Sequence, residues 1–120
     1  MKSTSRVRAH RVSKDDRLDL VFGALSDRTR RALLAELQDA PAMITELANG
    51  FPMSLPAVSK HLRVLERAGL VKRTVDGRVH RCEIEAQPLL QARDWLDGYR
   101  LFWEENLEAL ASFVEGRKRQ

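Results

Sequence analysis

The chain has 120 residues, 43% of them hydrophobic, and a net charge of +4 with an isoelectric point near 9.7. This length fits one small domain. The single cysteine excludes an intrachain disulfide and favours a reducing, cytoplasmic setting. No apolar run is long enough to predict a membrane-spanning helix. Residues 54–82 hold seven basic and two acidic residues, whereas residues 83–115 hold two basic and eight acidic residues, which predicts one face that meets a polyanion.

Composition divides the chain into three segments. Residues 1–14 carry five basic residues, no acidic residue and no apolar periodicity, so they predict a disordered basic arm. No apolar stretch follows these basic residues, so we do not expect a signal peptide. Residues 15–115 are expected to form the folded domain, and residues 116–120 a basic tail.

Three helices are predicted in the first half of the domain. The first covers residues 15–25, the second covers residues 28–38 and is capped by Asp27, and a short third helix covers residues 43–49. The apolar stripes of the first two helices consist of Leu18, Val21, Phe22 and Leu25, and of Leu33, Leu34 and Leu37.

A fourth helix begins after Ser54, has Pro56 in its first turn and ends at Gly69. Its predicted buried stripe consists of Leu55, Val58, Leu62 and Leu65. The opposite face presents short or cationic side chains, namely Ser54, Pro56, Ala57, Ser59, Lys60, His61 and Arg63. A short helix, a tight turn and a longer cationic helix form the layout of a helix-turn-helix, whose second helix lies in the DNA major groove. The pattern therefore predicts a DNA-binding helix.

A β-hairpin is predicted next, with strands over residues 70–75 and 78–84 joined by Asp76-Gly77, a strong two-residue turn signal. This loop predicts that Val75 faces Arg78, Arg73 faces His80 and Val71 faces Cys82. Arg73 and Arg78 then lie beside the tip, so the hairpin resembles a wing that contacts the minor groove or its phosphates.

A long last helix is predicted over residues 87–115. Its apolar stripe consists of Leu89, Ala92, Leu96, Tyr99, Trp103, Leu107, Leu110 and Val114, and is widened by Trp95, Phe102 and Phe113. This stripe is wider than one helix needs to pack on one domain. The predicted fold is mainly α with a β-hairpin wing, a winged helix-turn-helix in the order of four helices, two strands and a helix.

The segments "ALSDRTRRALLAEL", "ITELANGFPMSLPAVSKHLRVLERAGLV" and "DGRVHR" resemble the ArsR family of bacterial winged-helix repressors over about residues 15–114. The resemblance implies that Ser54, Pro56, Ser59, Lys60, His61 and Arg63 face the groove and that Arg73 and Arg78 lie on the wing. It also implies a homodimer formed by the first and last helices. The implied interface residues are Leu18, Val21, Phe22, Trp95, Tyr99, Phe102, Trp103, Leu107 and Leu110.

The end of the chain resembles a branch of this family that lacks the known metal sites. The family positions that hold thiolate ligands match Met43, Thr45 and Ala48, and the acidic residues of the last helix have no histidine among them. Zinc favours nitrogen or sulfur ligands, so we expect no metal and no cofactor. Cys82, on the apolar side of the hairpin, is interpreted as a buried structural thiol. No nucleophile and base are arranged for catalysis, so we expect no enzyme.

The sequence therefore predicts a homodimeric transcriptional regulator, a repressor, that binds double-stranded DNA at a palindromic operator. Two alternatives stay open. One is a ligand- or redox-responsive sensor that acts through Cys82 or a pocket at the dimer interface. The other is a protein-interaction module whose last helix docks on a partner. The operator, the regulated genes and any small-molecule effector are left open.

Overall fold

The computed structural model describes residues 14–119, so apart from Lys14 the predicted arm lies outside the described residues. The predicted order of helices and hairpin is confirmed. The helices are α1 (Lys14–Leu25), α2 (Arg28–Asp39), α3 (Ile44–Asn49), α4 (Leu55–Arg67) and α5 (Gln87–Arg119), and the strands are β1 (Ala42–Met43), β2 (Val71–Asp76) and β3 (Val79–Ile84). Helix α5 thus continues beyond the predicted end at residue 115. Among the described helices, none is both long and apolar enough to cross a bilayer.

The ends of α2 and α4 are fixed by local chemistry that the sequence displays. The side chain of Asp27 accepts a hydrogen bond from the backbone N–H of Arg30 at the start of α2, and Ser54 caps α4 in the same way. Helix α4 ends at Arg67 and is followed by a turn at Gly69, whose φ of +78° suits glycine. The N–H of Leu70 donates to the carbonyl of Leu65, which completes a Schellman turn.

The three strands form one antiparallel sheet in the order β1-β3-β2. Strand β1 was not predicted, because two residues carry no periodic signal. The predicted hairpin register is wrong, since Arg73 pairs with Cys82 and Val71 pairs with Ile84. The two loop residues are Gly77 and Arg78 rather than Asp76 and Gly77. Gly77 takes a φ of +63° in the first loop position, where this turn geometry favours glycine.

One core lies between the helices and the hairpin. Its buried members come from α1, α2, α3, α4, the start of α5 and the sheet, and include Val21, Leu33, Leu37, Leu47, Val58, Leu62, Leu65, Leu70, Cys82 and Ala92. The predicted buried stripe of α4 is correct for Val58, Leu62 and Leu65 but wrong for Leu55, which is 44% exposed. Leu55 is the first residue of the helix, so only one side of it is covered.

Candidate nucleic-acid interface

The burial of α4 determines which of its side chains point away from the protein. Val58, Leu62 and Leu65 are fully buried, and helical geometry places the residues about half a turn away on the outer surface. The outer surface is the row of exposed residues Pro56, Lys60, Arg63 and Arg67. We call this row the outer face of α4. Three of its four residues are cationic and none is acidic.

Arg67 is a member of the outer face that the sequence analysis missed. It lies four residues after Arg63 and seven after Lys60, so the same helical spacing could have identified it. It also lies in the last turn of α4, where a cation interacts favourably with the helix dipole. Its exposed position leaves the guanidinium accessible to a phosphate.

One flank of α4 is held against α2 by His61. The Nδ1 atom of His61 lies 3.3 Å from Nη1 of Arg30 and 3.8 Å from Oδ2 of Asp27. The backbone N–H of Arg30 lowers the pKa of the Asp27 carboxyl, and His61 and Arg30 lower it further. His61 was predicted to face the groove, but its ring is directed towards the start of α2.

The other flank of α4 is held against the hairpin by Glu66. Arg73 donates from Nε and Nη2 to Oε2 of Glu66 at 3.0 and 2.6 Å, and its Nη1 lies 3.4 Å from Nδ1 of His80. The Arg73 side chain is only 16% exposed. Because strand residues alternate between faces, Arg73 shares the inner face of β2 with Val71 and points at α4. The geometry therefore opposes the predicted DNA contact of Arg73.

The tip of the hairpin presents a different arginine. Arg78 is exposed in the two-residue loop, at the point of the hairpin furthest from the core. All residues from Thr74 to Val79 are exposed, whereas Arg73 and His80 are partly covered. Arg78 is therefore the basic side chain that this hairpin offers at its tip, in agreement with the predicted position on the wing.

A cleft of about 420 Å³ separates α4 from the hairpin. Its walls are Leu55, Pro56 and Ser59 from α4, Met43, Ile44 and Thr45 from β1 and α3, and Arg73, Arg78, Val79 and His80 from the hairpin. Arg78 at the hairpin tip and Pro56 of the outer face of α4 both line this cleft. Of the two predicted serines, Ser59 lines the cleft, whereas the side chain of Ser54 caps α4.

A second surface is formed by α1 and α5. Phe22 of α1 packs edge to face on Trp95 with ring centroids 5.6 Å apart, and Trp95 lies 5.0 Å from Tyr99. Beyond Tyr99 the apolar side chains of α5 are exposed, with Trp103 at 61%. Of the predicted interface residues, Trp95, Tyr99, Phe102, Trp103, Leu107 and Leu110 are exposed, Leu18 and Phe22 are partly buried, and Val21 is buried. Val21 packs inside its own chain at 1% exposure, which leaves almost none of its side chain available to the predicted interface.

The remaining reactive side chain, Cys82, is fully buried beneath the hairpin, and this burial raises the pKa of its thiol. His80 lies on the same face of β3 but is directed at Arg73. Within residues 14–119, no cluster of three or more histidine, cysteine or acidic side chains is arranged to bind a metal.

Comparison with known proteins identifies the family. Residues 25–74 match a helix-turn-helix domain family. The chain is 36% identical over 97 residues to the HTH-type transcriptional regulator Rv2034 of Mycobacterium tuberculosis, a match that covers 81% of this chain and 88% of that protein. It is 29% identical over 76 residues to the transcriptional repressor SdpR of Bacillus subtilis, covering 63% of this chain and 84% of SdpR.

Solved structures agree with the sequence relatives. The ArsR family transcriptional regulator RHA00566 is 41% identical, with a TM-score of 0.70 over 73% of this chain and 97% of that structure. The homodimeric winged helix-turn-helix DNA-binding domain Mb0332 of Mycobacterium bovis is 25% identical, with a TM-score of 0.58 over 78% of this chain and 83% of that structure. The fold, the basic outer face of α4 and these relatives agree: the chain belongs to the ArsR family of DNA-binding transcriptional regulators.

Proposed function

We propose that this regulator is a homodimeric repressor that binds a palindromic operator, with one α4 of each subunit in the major groove. The observation that carries the proposal is the outer face of α4. Its cationic residues Lys60, Arg63 and Arg67 are exposed, while both flanks of the helix are held by other parts of the chain. A helix fixed on its flanks and free on one basic face suits insertion into a groove.

The contacts divide between bases and phosphates. Lys60 and Arg63 are proposed to reach base edges or phosphates, and Pro56 allows the backbone near the start of α4 to approach the DNA closely. Ser54 and Ser59 are proposed to contact the strand that passes the cleft, and Arg78 is proposed to bind a flanking phosphate or the minor groove. His61 and Arg73 are left out of this set because their side chains are engaged with Arg30 and Glu66.

The homodimer is supported by the exposed apolar face of α5. Large exposed apolar patches mark interaction surfaces, and six of the predicted interface residues are exposed in the single chain, namely Trp95, Tyr99, Phe102, Trp103, Leu107 and Leu110. The relative Mb0332 is described as homodimeric. Repression is supported by the relative SdpR, which is a repressor. Binding across a promoter would exclude the polymerase from the same DNA, in the cytoplasm.

In vitro selection from a randomised DNA duplex pool, performed with the full chain near physiological salt, tests this proposal. We expect an enriched imperfect palindrome whose half-sites lie about one helical turn, or a multiple of it, apart. The Lys60→Ala protein should recover a weaker or altered half-site, whereas Arg93→Ala, which removes an exposed cation from α5, should recover the same one. Retention of DNA without enrichment would contradict specific recognition and favour an interaction module.

A further inference from the structure

We propose that Glu66 is a positioning residue for DNA recognition: through Arg73 it holds the wing at a fixed angle to α4, so that Arg78 meets the DNA in register. This inference rests on the proposed DNA contact of Arg78. It assigns a role to the acidic residue of α4, which lies on a helix otherwise suited to bind a polyanion.

The contacts join three elements at one guanidinium group. Glu66 lies near the end of α4, Arg73 is the third residue of β2 and His80 is the second residue of β3. Oε2 of Glu66 accepts two hydrogen bonds from Arg73, at 3.0 and 2.6 Å, while the remaining Nη1 is directed at His80. A planar guanidinium with its donors engaged in two directions has a defined orientation, which a flexible ammonium group lacks.

The position of this pair determines how it acts on the wing. Arg73 and His80 are the last partly covered residues on the two strands, and residues 74–79 beyond them are exposed. The end of β2 lies three residues beyond Arg73, which corresponds to about 10 Å of strand. Because ladder hydrogen bonds keep the hairpin itself in shape, a small rotation at the Glu66–Arg73 contact moves the tip as one unit. Loss of the contact therefore displaces Arg78 without unfolding the strands.

The charge of the pair explains why an acidic residue is tolerated at this position. An unpaired carboxylate beside the cleft would repel the phosphates that Lys60, Arg63 and Arg78 are proposed to attract. Arg73 neutralises Glu66, with the two side chains only 16% and 28% exposed. Arg73, which was predicted to contact DNA, thus acts on DNA binding only through the position of the wing.

A double-mutant cycle between Glu66→Ala and Arg78→Ala tests the inference, with the operator obtained by selection and with a scrambled duplex; alanine is used because a glutamine oxygen could still accept both hydrogen bonds from Arg73. In the wild-type background we expect Arg78→Ala to weaken binding about tenfold and to lower the salt slope by about one. In the Glu66→Ala background Arg78→Ala should cost less than about twofold, because the tip no longer meets its phosphate. Glu36→Ala, which removes an exposed acid from α2, should leave the full effect of Arg78→Ala.

The outcomes distinguish the positioning role of Glu66 from the DNA contact of Arg78. If Arg78→Ala has its full effect in both backgrounds, the positioning role of Glu66 is wrong while the wing contact stands. If Arg78→Ala has no effect in the wild type, the proposed wing contact itself is wrong. Arg73→Ala removes the same contact from the other side and must also abolish the effect of Arg78→Ala. Thermal denaturation of every variant identifies any that fail to fold. If either the Glu66 variant or the Arg73 variant folds and Arg78→Ala still has its full effect in it, the inference is overturned.

Discussion

Arg30 and His61 connect α1 to α4. Nη1 of Arg30 lies 3.3 Å from Nδ1 of His61, while its Nε and Nη2 donate to the carbonyls of Ala24 and Gly23 near the end of α1. One side chain of α2 therefore satisfies carbonyl groups that the end of a helix leaves unpaired and also fixes a flank of α4. Since α1 belongs to the proposed dimer surface, this contact relates the position of α4 to that surface.

Adjacent residues of α4 should respond differently to truncation. His61→Ala removes a partner of Arg30, so we expect a loss of about 1 kcal/mol of stability and an unchanged selected DNA sequence. Lys60→Ala should change stability by less than about 0.5 kcal/mol, because its side chain is exposed, and should weaken operator binding. Thermal denaturation measures the stability of each variant, and selection from a random duplex pool gives the DNA sequence that each variant prefers. If the His61→Ala protein were fully stable and preferred different bases, the predicted groove contact of His61 would be supported.

Local sequence chemistry predicted the start of α4 and the existence of the hairpin, because a cap, a proline and a glycine turn each act over a few residues. The hairpin register required a choice between Asp76-Gly77 and Gly77-Arg78 as loop residues, and the dipeptide signal favoured the wrong one. The partner of Arg73 could not be predicted from its charge. Glu66 lies seven residues earlier, across the turn at Gly69, and only the packed structure brings the two together. Helical periodicity likewise predicted that Leu55 is buried, because the spacing of apolar residues does not indicate where a helix begins.

Two leucines of α4 should differ sharply in their contribution to stability. Leu62 is fully buried, so Leu62→Ala should cost about 2–5 kcal/mol of unfolding free energy from lost burial and the resulting cavity. Leu55 is 44% exposed at the start of the helix, so Leu55→Ala should cost less than about 1.5 kcal/mol. Urea denaturation of both variants measures the difference. Equal losses would mean that Leu55 is buried as the sequence suggested.

The turn at Gly69 provides a test of backbone strain. Gly69 has a φ of +78°, and a Cβ there would lie 3.4 Å from Cγ of Pro88, so Gly69→Ala should cost about 1–2 kcal/mol. Gly50 at the end of α3 has a φ of −90°, and a Cβ there would make an ordinary van der Waals contact of 3.6 Å with the carbonyl oxygen of Leu47, so Gly50→Ala should be neutral or slightly stabilising. Chemical denaturation compares the unfolding free energies of the two variants. A Gly69→Ala protein as stable as the wild type would contradict the left-handed turn after α4.

The burial of Cys82 predicts slow thiol modification and a dependence of stability on pH. In the native protein a thiol reagent should react slowly, and thiol oxidants should leave DNA binding unchanged, because the side chain is fully buried.

Burial raises the pKa of the folded thiol, whereas the pKa of the unfolded thiol is about 8.5. Ionisation of the unfolded state therefore lowers the stability of the wild type as the pH rises above about 8. The Cys82→Ala protein should lack this component, so the stability difference between the two proteins should change as the pH rises above about 8. Rapid native modification that abolishes DNA binding would instead support the redox-sensor alternative.

The exposed face of α5 should control the oligomeric state. Trp103 is 61% exposed in the single chain, so Trp103→Glu should leave the helical content unchanged while it places a charge in the proposed interface. We expect this variant to be monomeric in analytical ultracentrifugation, with a dimer dissociation constant raised at least about thirtyfold. Leu101 is similarly exposed but lies two residues away, about 160° around the helix, so Leu101→Glu should remain dimeric. The monomeric variant should also lose its preference for a palindrome over a single half-site, because the two α4 helices are no longer tied together. A wild-type chain that is monomeric at micromolar concentration would contradict the dimer and favour a partner helix on this face.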